Sequence, residues 1–257
     1  MATLKKTIMI VSGILIPFVA AAIAAFPAWG FTEPQVSPSV EPAAVAVKKD
    51  FTAWREDFGD ASITAGDDVM PGWKRKKKPG TKAAVFSLAR EVEGGSYLHM
   101  EADKASASLV AVINGVDLNK TPFLRWRWRV TELPRGADGR IKAADDQAIG
   151  IYLGSGSLLK NKSVSYRWDT ETPRGAHGKC AYGGGTIKVK WYTLRNKEDA
   201  ADGQWYIEER NAAEDFKNAW GFYPDKMYLS VSCNSQYTGS TAAADLDWIE
   251  FSSSPAE

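Results

Sequence analysis

Hydrophobic and polar residues alternate along most of the chain, most clearly in the stretch LRWRWRV at residues 124–130. At a period of two, its apolar side chains point to one side of a strand and its three arginines to the other. Similar short segments recur between turns rich in Gly, Pro, Asp and Asn, such as GADGR and NKEDAADG. The pattern predicts strands over residues 51–58, 83–90, 96–102, 107–113, 123–131, 147–154, 163–169, 186–194, 204–210, 227–233 and 244–252.

Helical spacing is confined to one segment, NAAEDFKNAW at residues 211–220. Many short strands with a single short helix predict an all-β fold in which two sheets pack as a β-sandwich. The alternation indicates which side chains are buried, and it leaves the order of the strands open.

Three successive strands carry the candidate site. Their core-facing residues are Leu124, Trp126, Trp128, Val130, Ile149, Ile151, Leu153, Val164, Tyr166 and Trp168. The opposite faces present Arg127, Tyr152 and Arg167, and the small residues beside them are Ala148, Gly150 and Ser165. Because a guanidinium binds carboxylate or sulfate and stacks on rings, this set predicts a groove for an acidic sugar or another anionic ligand. The alternative is a solvated face whose arginines pair with Asp146 and Glu208.

The composition, 44% hydrophobic and 25% charged over 257 residues, is that of a globular protein with enough aromatic residues for a substantial core. The formal charge of +1 gives no global attraction to nucleic acid or membranes, so electrostatic recognition has to be local. The basic run Lys74–Lys78 lies next to Pro79 and Gly80 and is interpreted as a solvated loop. A polyanion-binding patch is the alternative for this run.

The N-terminal thirty residues resemble a cleavable export signal. Lys5 and Lys6 precede an uncharged run that ends in small residues, and this predicts a signal peptide over residues 1–30. An uncleaved membrane anchor is the alternative, because the run is long enough to span a bilayer. Residues 31–47, rich in Pro, Ser and Ala, predict a flexible linker, and residues 48–257 are predicted to form the β-sandwich domain.

Export changes the interpretation of the two cysteines. In an oxidising compartment, Cys180 and Cys233 are predicted to form a disulfide. The alternative is two separate buried thiols. With only two histidines besides them, these cysteines do not predict a zinc site.

Motifs for metal binding and catalysis are sparse. The adjacent Asp145 and Asp146 would suit calcium, but aspartates are also frequent in turns and the chain lacks a dense acidic loop. The prediction is therefore no metal and no cofactor, with calcium at this pair as the alternative. No G-x-S-x-G motif is present, so nucleophilic catalysis is not predicted. Asp146 and Glu208 as acid and base of a polysaccharide-acting enzyme remain an alternative.

The order of segments resembles bacterial domain-of-unknown-function family 3047. The matching pieces are LRWRWRV, DDQAIGIYL, VSYRWD, WYIEERNAAEDFKNAWG and STAAADLDWIEF, which extend over roughly residues 51–252. The resemblance implies an exported β-sandwich similar to jelly-roll carbohydrate-binding modules, with an unassigned activity. It also directs attention to Asp145, Asp146, Trp168, Glu208, Arg210 and Asp215. Asn234 and Gln236 stand where such proteins tend to have aspartates, which weakens the case for a metal at that loop.

The patterns predict a β-sandwich with one short helix, and the resemblance implies that the sandwich has jelly-roll, galactose-binding-like character. The predicted function is non-catalytic binding of a glycan, or another polyhydroxylated or anionic ligand, in the periplasm or cell envelope. The predicted site consists of Arg127, Tyr152 and Arg167, oriented by Asp146 and Glu208, with Arg210 added by the resemblance. The expected partner is a polysaccharide or envelope component rather than nucleic acid, and a membrane is involved only if the N-terminal segment is retained. The alternatives are a polysaccharide-acting enzyme and a structural envelope protein without a small ligand.

Overall fold

A computed structural model of the protein describes residues 51–59, 70–91, 95–157, 160–200 and 203–255. These residues form thirteen strands, in most of which buried and exposed side chains alternate. The strands are β1 (Thr52–Glu56), β2 (Trp73–Lys77), β3 (Val85–Glu91), β4 (Gly95–Asp103), β5 (Ser106–Ile113), β6 (Phe123–Glu132), β7 (Ile149–Ser157), β8 (Lys160–Trp168), β9 (His177–Tyr182), β10 (Ile187–Arg195), β11 (Tyr206–Asn211), β12 (Met227–Asn234) and β13 (Thr241–Ser252). The predicted all-β class is confirmed.

The strands form two sheets. The six-stranded sheet has the order β11-β6-β13-β4-β3, with β1 also paired to β13. The seven-stranded sheet has the order β2-β5-β12-β7-β8-β10-β9, in which β8 and β10 run parallel. The chain crosses between the sheets at every step from β4 to β7 and again from β11 to β13. These repeated crossings give the predicted sandwich its jelly-roll character.

Large aromatic side chains fill the space between the sheets. Trp126 and Trp128 of β6 are completely buried, and Trp126 stacks on Tyr166 of β8 with ring centroids 5.2 Å apart. Trp128 packs against Trp168 of β8, with ring centroids 5.6 Å apart. The core faces predicted for β6, β7 and β8 are therefore confirmed. The tryptophans of one sheet meet the aromatic residues of the other, which joins the two sheets.

One helix, α1 (Ala212–Trp220), follows β11 directly. The Asn211 side chain accepts a hydrogen bond from the Glu214 backbone amide, which is the usual cap of a helix N-terminus. Gly221 ends the helix in the left-handed conformation, with φ 83°. Phe216 is completely buried and anchors the helix to the core. The predicted helix at 211–220 is confirmed to within one residue.

The basic run is a strand rather than the predicted loop. Lys74–Lys77 belong to β2, the edge strand of the seven-stranded sheet, and Trp73 at its start is buried. The run lacks apolar alternation because its solvent-exposed side chains are all basic. The strand β9 was missed for a related reason, since its residues HGKCAY show no clear apolar face. In both, backbone pairing with a neighbouring strand outweighs a weak local pattern.

The predicted disulfide is wrong. Cys180 lies on β9 and Cys233 on β12, with β7, β8 and β10 between them. Adjacent strands are about 4.8 Å apart, so roughly 19 Å separates the two strands, whereas a disulfide needs Cα atoms within about 7 Å. Cys233 is also buried in the core, and both thiols are free.

The predicted signal peptide and linker lie outside the described residues, so both stay predictions. The predicted start of the domain at residue 48 also stays a prediction. Within the part of the chain that the structure describes, no helix has the length and apolarity needed to cross a membrane.

Candidate functional site

The predicted groove joins residues that the two sheets keep apart. Arg127 lies on β6 in the six-stranded sheet, whereas Tyr152 and Arg167 lie on β7 and β8 in the seven-stranded sheet. All three point away from the core, and the outer faces of a sandwich are on opposite sides of the molecule. The prediction that Arg127 and Arg167 share one groove is therefore wrong, while Tyr152 and Arg167 do share a face.

The arginine row of β6 is bound by carboxylates of its own sheet. The ion pairs are Arg125 with Glu209 at 2.6 Å, Arg127 with Asp247 at 2.7 Å and Arg129 with Asp245 at 2.6 Å. The Trp205 ring also lies under two of the guanidinium groups, 4.7 Å from Arg127 and 4.3 Å from Arg129. The row thus follows the alternative interpretation, a face of ion pairs, but with partners other than Asp146 and Glu208.

Four aromatic residues lie on the outer face of the seven-stranded sheet: Tyr152 (β7), Tyr182 (β9), Trp191 (β10) and Tyr228 (β12). We refer to these four residues and the floor beneath them as the aromatic face. Strand register aligns five residues in a single row across β12, β7, β8, β10 and β9, namely Ser230, Tyr152, Ser165, Trp191 and Gly178. Side chains that are directly opposite on paired strands point to the same side, so this row lies on the outer side of the sheet. Ser165 is completely buried and Ser230 and Trp191 are nearly so, whereas Tyr152 and Gly178 are partly exposed.

Glycines let three of these rings lie flat on the sheet. A Cβ atom on Gly154 would lie 2.1 Å from Cζ of Tyr228, its cross-strand partner. A Cβ on Gly178 would lie 2.5 Å from Cζ2 of Trp191, and one on Gly150 would lie 2.9 Å from Cε2 of Tyr152. No side chain fits at these three positions without moving the ring. Of the small residues predicted to leave space around the site, Gly150 therefore lies under an aromatic ring instead.

A buried charge cluster supports one end of the aromatic face. The Arg167 side chain is completely buried and its Nη1 donates to Oδ1 of Asp145 at 2.9 Å. Its Nη2 donates to the Tyr182 hydroxyl at 3.1 Å, and that hydroxyl donates to the other oxygen of Asp145. Burial raises the pKa of Tyr182, which keeps the hydroxyl protonated as a donor. Arg167 therefore positions Asp145 and Tyr182, and its burial prevents the direct ligand contact predicted for it.

Asp146 and Glu208 do not orient the predicted arginines. Asp146 is completely buried, and its Oδ2 accepts hydrogen bonds from the Thr238 amide at 2.7 Å and the Thr238 hydroxyl at 2.9 Å. Glu208 pairs with Arg195 and accepts from Trp128 Nε1 at 3.4 Å. Since each carboxylate is occupied by its own partners, the alternative acid and base pair is not assembled.

The remaining residues to which the resemblance directs attention connect the helix to the two sheets. Arg210 forms a two-pronged ion pair with Asp215, at 2.9 and 2.7 Å. The Tyr166 hydroxyl donates to the same carboxylate at 2.9 Å, and Trp168 Nε1 donates to the Asn196 carbonyl at 3.0 Å. These contacts link β8 to β11, to α1 and to the loop that follows β10, so we assign them a structural role.

The two adjacent aspartates bind different groups. Asp145 accepts from Arg167 and from Gln147 Nε2 at 2.7 Å, whereas Asp146 accepts from Thr238. In the described part of the chain, no group of three or more His, Cys, Asp or Glu side chains is placed to hold a metal ion.

Sequence reasoning missed three members of the aromatic face, Tyr182, Trp191 and Tyr228. Trp191 and Tyr192 are adjacent, so alternation could not decide which of the two rings faces outward. The signal that would have helped is the spacing of glycines on neighbouring strands, because Gly154 and Gly178 are the cross-strand partners of Tyr228 and Trp191.

A family model described as "Protein of unknown function (DUF3047)" matches residues 71–250. No curated protein matches the chain. A family 11 carbohydrate-binding module of the cellulosomal cellulase Lic26A-Cel5E of Clostridium thermocellum is similar in structure at 7% identity and a TM-score of 0.39, over 78% of this chain and 95% of that one. The family 11 module from Clostridium thermocellum in complex with a β-1,3-1,4-mixed-linked tetrasaccharide is similar at 9% sequence identity and a TM-score of 0.37. This match covers 73% of this chain and 93% of the module. The enzymatically active domain of tailspike protein 4 of bacteriophage CBA120 is similar at 8% sequence identity and a TM-score of 0.33. This match covers 75% of this chain and 20% of the tailspike chain.

Proposed function

We propose that this chain, which belongs to the DUF3047 family of proteins of unknown function, binds a glycan on the aromatic face without acting on it chemically. The observation that carries the proposal is that three partly exposed tyrosines, Tyr152, Tyr182 and Tyr228, lie on the outer face of one sheet. The outermost two, on β12 and β9, are four strand spacings or roughly 19 Å apart, which suits an oligosaccharide better than a single sugar.

The chemistry of the aromatic face suits sugars. An aromatic ring that lies flat offers an apolar surface for the C–H face of a pyranose, while hydroxyls nearby bind the sugar's polar rim. Tyr152 and Tyr228 are half-buried, and Ser230 lies between them on the floor. The Tyr228 hydroxyl donates to Oδ1 of Asn161 at 2.5 Å, which fixes the ring in place. A ring that is already fixed loses little conformational entropy when a ligand binds.

The state of the carboxylates near the face supports binding without catalysis. Asp145 is occupied by Arg167 and Tyr182, and Asp169 is completely buried beneath them. Burial raises the pKa of Asp169, whose carboxylate accepts a hydrogen bond from the Thr193 hydroxyl at 2.9 Å. Neither group is exposed to a sugar on the surface, whereas glycoside hydrolysis needs two carboxyl groups on either side of the scissile bond.

The proposed place of action is the periplasm or cell envelope, with a polysaccharide or envelope component as the partner. This part of the proposal rests on residues 1–30, whose basic start and apolar run are typical of an export signal.

A glycan-array screen of the full chain, followed by calorimetry with the best oligosaccharide, tests the proposal. Tyr228→Ala should weaken binding by roughly 1–3 kcal/mol, the range for loss of one stacked aromatic ring. Tyr228→Phe keeps the ring and should bind nearly as well as the wild type. The matched control is Tyr223→Ala, since Tyr223 is an exposed tyrosine outside the aromatic face.

Two results would contradict the proposal. One is an array on which no glycan is retained by the correctly folded chain. The other is a glycan whose affinity is equally reduced by Tyr228→Ala and Tyr223→Ala, because that would show that the aromatic face is not its site.

A further inference from the structure

Four lysines lie together on the side of the seven-stranded sheet opposite the aromatic face. Lys162 of β8 is directly opposite Lys188 of β10, and Lys190 of β10 is directly opposite Lys179 of β9. All four share the phase of Val164 and Tyr166, which face inward, yet Lys162 and Lys190 are only half-buried and Lys179 and Lys188 are exposed. We refer to these four residues as the lysine corner.

Like charges in directly opposite positions of paired strands destabilise a sheet. Here two such pairs are adjacent, and among the described residues none of the four lysines forms an ion pair with a carboxylate. Lys179 donates to the Ala219 carbonyl at 3.4 Å, and Lys190 Nζ lies 2.8 Å from His177 Nδ1. Burial and the neighbouring charge of Lys179 lower the pKa of Lys190. The fold therefore retains an unfavourable concentration of positive charge.

Protection of the sheet edge does not explain this arrangement. Lysines on an edge strand discourage pairing with another chain, which would account for Lys179 on β9. Lys162, Lys188 and Lys190, however, lie on β8 and β10, which have neighbours on both sides. Edge protection therefore leaves the charge of these three lysines on two interior strands unexplained, and an anionic ligand would supply a counter-charge.

The end of helix α1 forms a wall beside the lysine corner. The Trp220 indole donates to the Ser163 carbonyl at 3.2 Å, which holds the helix end against β8. The ammonium groups of Lys162 and Lys179 lie over the Trp220 ring, 5.6 and 5.3 Å from its centroid. Lys162 also lies 5.1 Å from the centroid of Phe222. Two of the four charges, Lys162 and Lys179, therefore converge on one aromatic side chain at the end of the helix.

We infer that the lysine corner binds an anionic glycan chain through its carboxylate or sulfate groups. Adjacent strands are about 4.8 Å apart and residues on one face of a strand about 6.8 Å apart, so the four ammonium groups match several charges rather than one. A narrow chain can enter the angle between helix and sheet, whereas a flat membrane surface would be held away by the helix end. The site is separate from the aromatic face, so the inference does not rest on the function proposed above.

Binding of the full chain to fluorescently labelled polygalacturonate, dextran sulfate and neutral dextran tests this inference. The wild type should bind both acidic polymers, more weakly as salt is added, and should not bind neutral dextran at this site. Lys179→Gln/Lys190→Gln should weaken polygalacturonate binding roughly tenfold or more. The matched control is Lys74→Gln/Lys76→Gln on β2, which removes the same charge from exposed positions at the other edge of the sheet and should change affinity by less than about twofold.

Further measurements distinguish binding at the lysine corner from binding at the aromatic face, from loss of folding and from general charge attraction. Tyr228→Ala should leave polygalacturonate binding unchanged, so failure of one site is distinguishable from failure of the other. Thermal unfolding should show that Lys179→Gln/Lys190→Gln melts no lower than the wild type, because a repulsive pair has been removed. Equal losses in the two double variants would overturn the inference in favour of general charge attraction. Tighter binding to vesicles of anionic phospholipid than to polygalacturonate, with the same sensitivity to Lys179→Gln/Lys190→Gln, would also overturn it.

Discussion

Arg167 is a charged side chain kept entirely inside the protein, and its surroundings explain how. The Asp145 carboxylate neutralises it, and the Tyr182 hydroxyl bridges the two groups. Arg127 and Arg129 of β6 are different, because they are only half-buried and retain contact with solvent. Burial rather than residue type therefore decides how strongly each arginine depends on its partner.

At the residue scale we predict that Asp145→Ala destabilises the protein by about 3 kcal/mol or more, because it leaves the buried Arg167 charge without its carboxylate. Urea unfolding measures this loss. The control is Glu171→Ala in the exposed pair with Lys197, 2.6 Å apart, with side chains 41% and 53% exposed. That variant should lose less than about 1 kcal/mol. Similar small losses in both variants would contradict the assigned role of Asp145.

At the scale of elements, neighbouring strands of the seven-stranded sheet depend on one another through glycine and aromatic pairs. Tyr228 of β12 lies over Gly154 of β7, and Trp191 of β10 lies over Gly178 of β9. A ring that covers the backbone of a glycine replaces the side-chain packing that the glycine lacks. The aromatic face is therefore a property of strand pairs and not of any single strand.

We predict that Gly154→Ala destabilises the protein by roughly 1–3 kcal/mol, the range for overpacking, because the new methyl group would meet the Tyr228 ring. Gly154→Ala/Tyr228→Ala should lose less than the sum of the two single variants, since the clash is then relieved. The control is Gly95→Ala at the start of β4, where a Cβ would meet nothing within 4 Å. Chemical denaturation of the wild type, the two single variants, the double variant and the control gives the comparison. Additive losses would show that the ring and the glycine are independent.

At the scale of the whole molecule, sheet order determines which distant residues meet. It brings Asp245 and Asp247 of β13 next to the arginines of β6, at separations of 116 and 120 positions along the chain. The same order separates Cys180 from Cys233 by three intervening strands. Export alone would suggest a disulfide, but the topology does not permit one without rearrangement of the sheet.

We therefore predict two free thiols when the unfolded, unreduced protein is titrated with a thiol reagent. In the native protein, Cys180 should react first, because it is partly exposed, whereas Cys233 should react only on unfolding. Burial raises the pKa of both thiols, so both reactions should be slow near neutral pH. A titration that finds no thiol would show that the cysteines pair in spite of the strand order.

Features that depend only on neighbours along the chain could be predicted from the amino-acid sequence. Alternation in residues 124–130 identified the buried tryptophans of β6, because side chains on a strand alternate between its two faces. The helix over Ala212–Trp220 was equally local, since Asn211 and Gly221 cap it at either end. The all-β class followed from the number of such segments.

The candidate site was decided by the tertiary structure. Alternation shows that Arg127 and Arg167 both point away from a core, but it carries no information about which sheet each strand joins. Strand pairing depends on contacts between residues far apart in sequence, and the ion pairs of β6 and the rows of the aromatic face and lysine corner all arise from that pairing. Local patterns fix which side of a strand is buried, whereas only the long-range pairing of strands fixes which outward residues become neighbours.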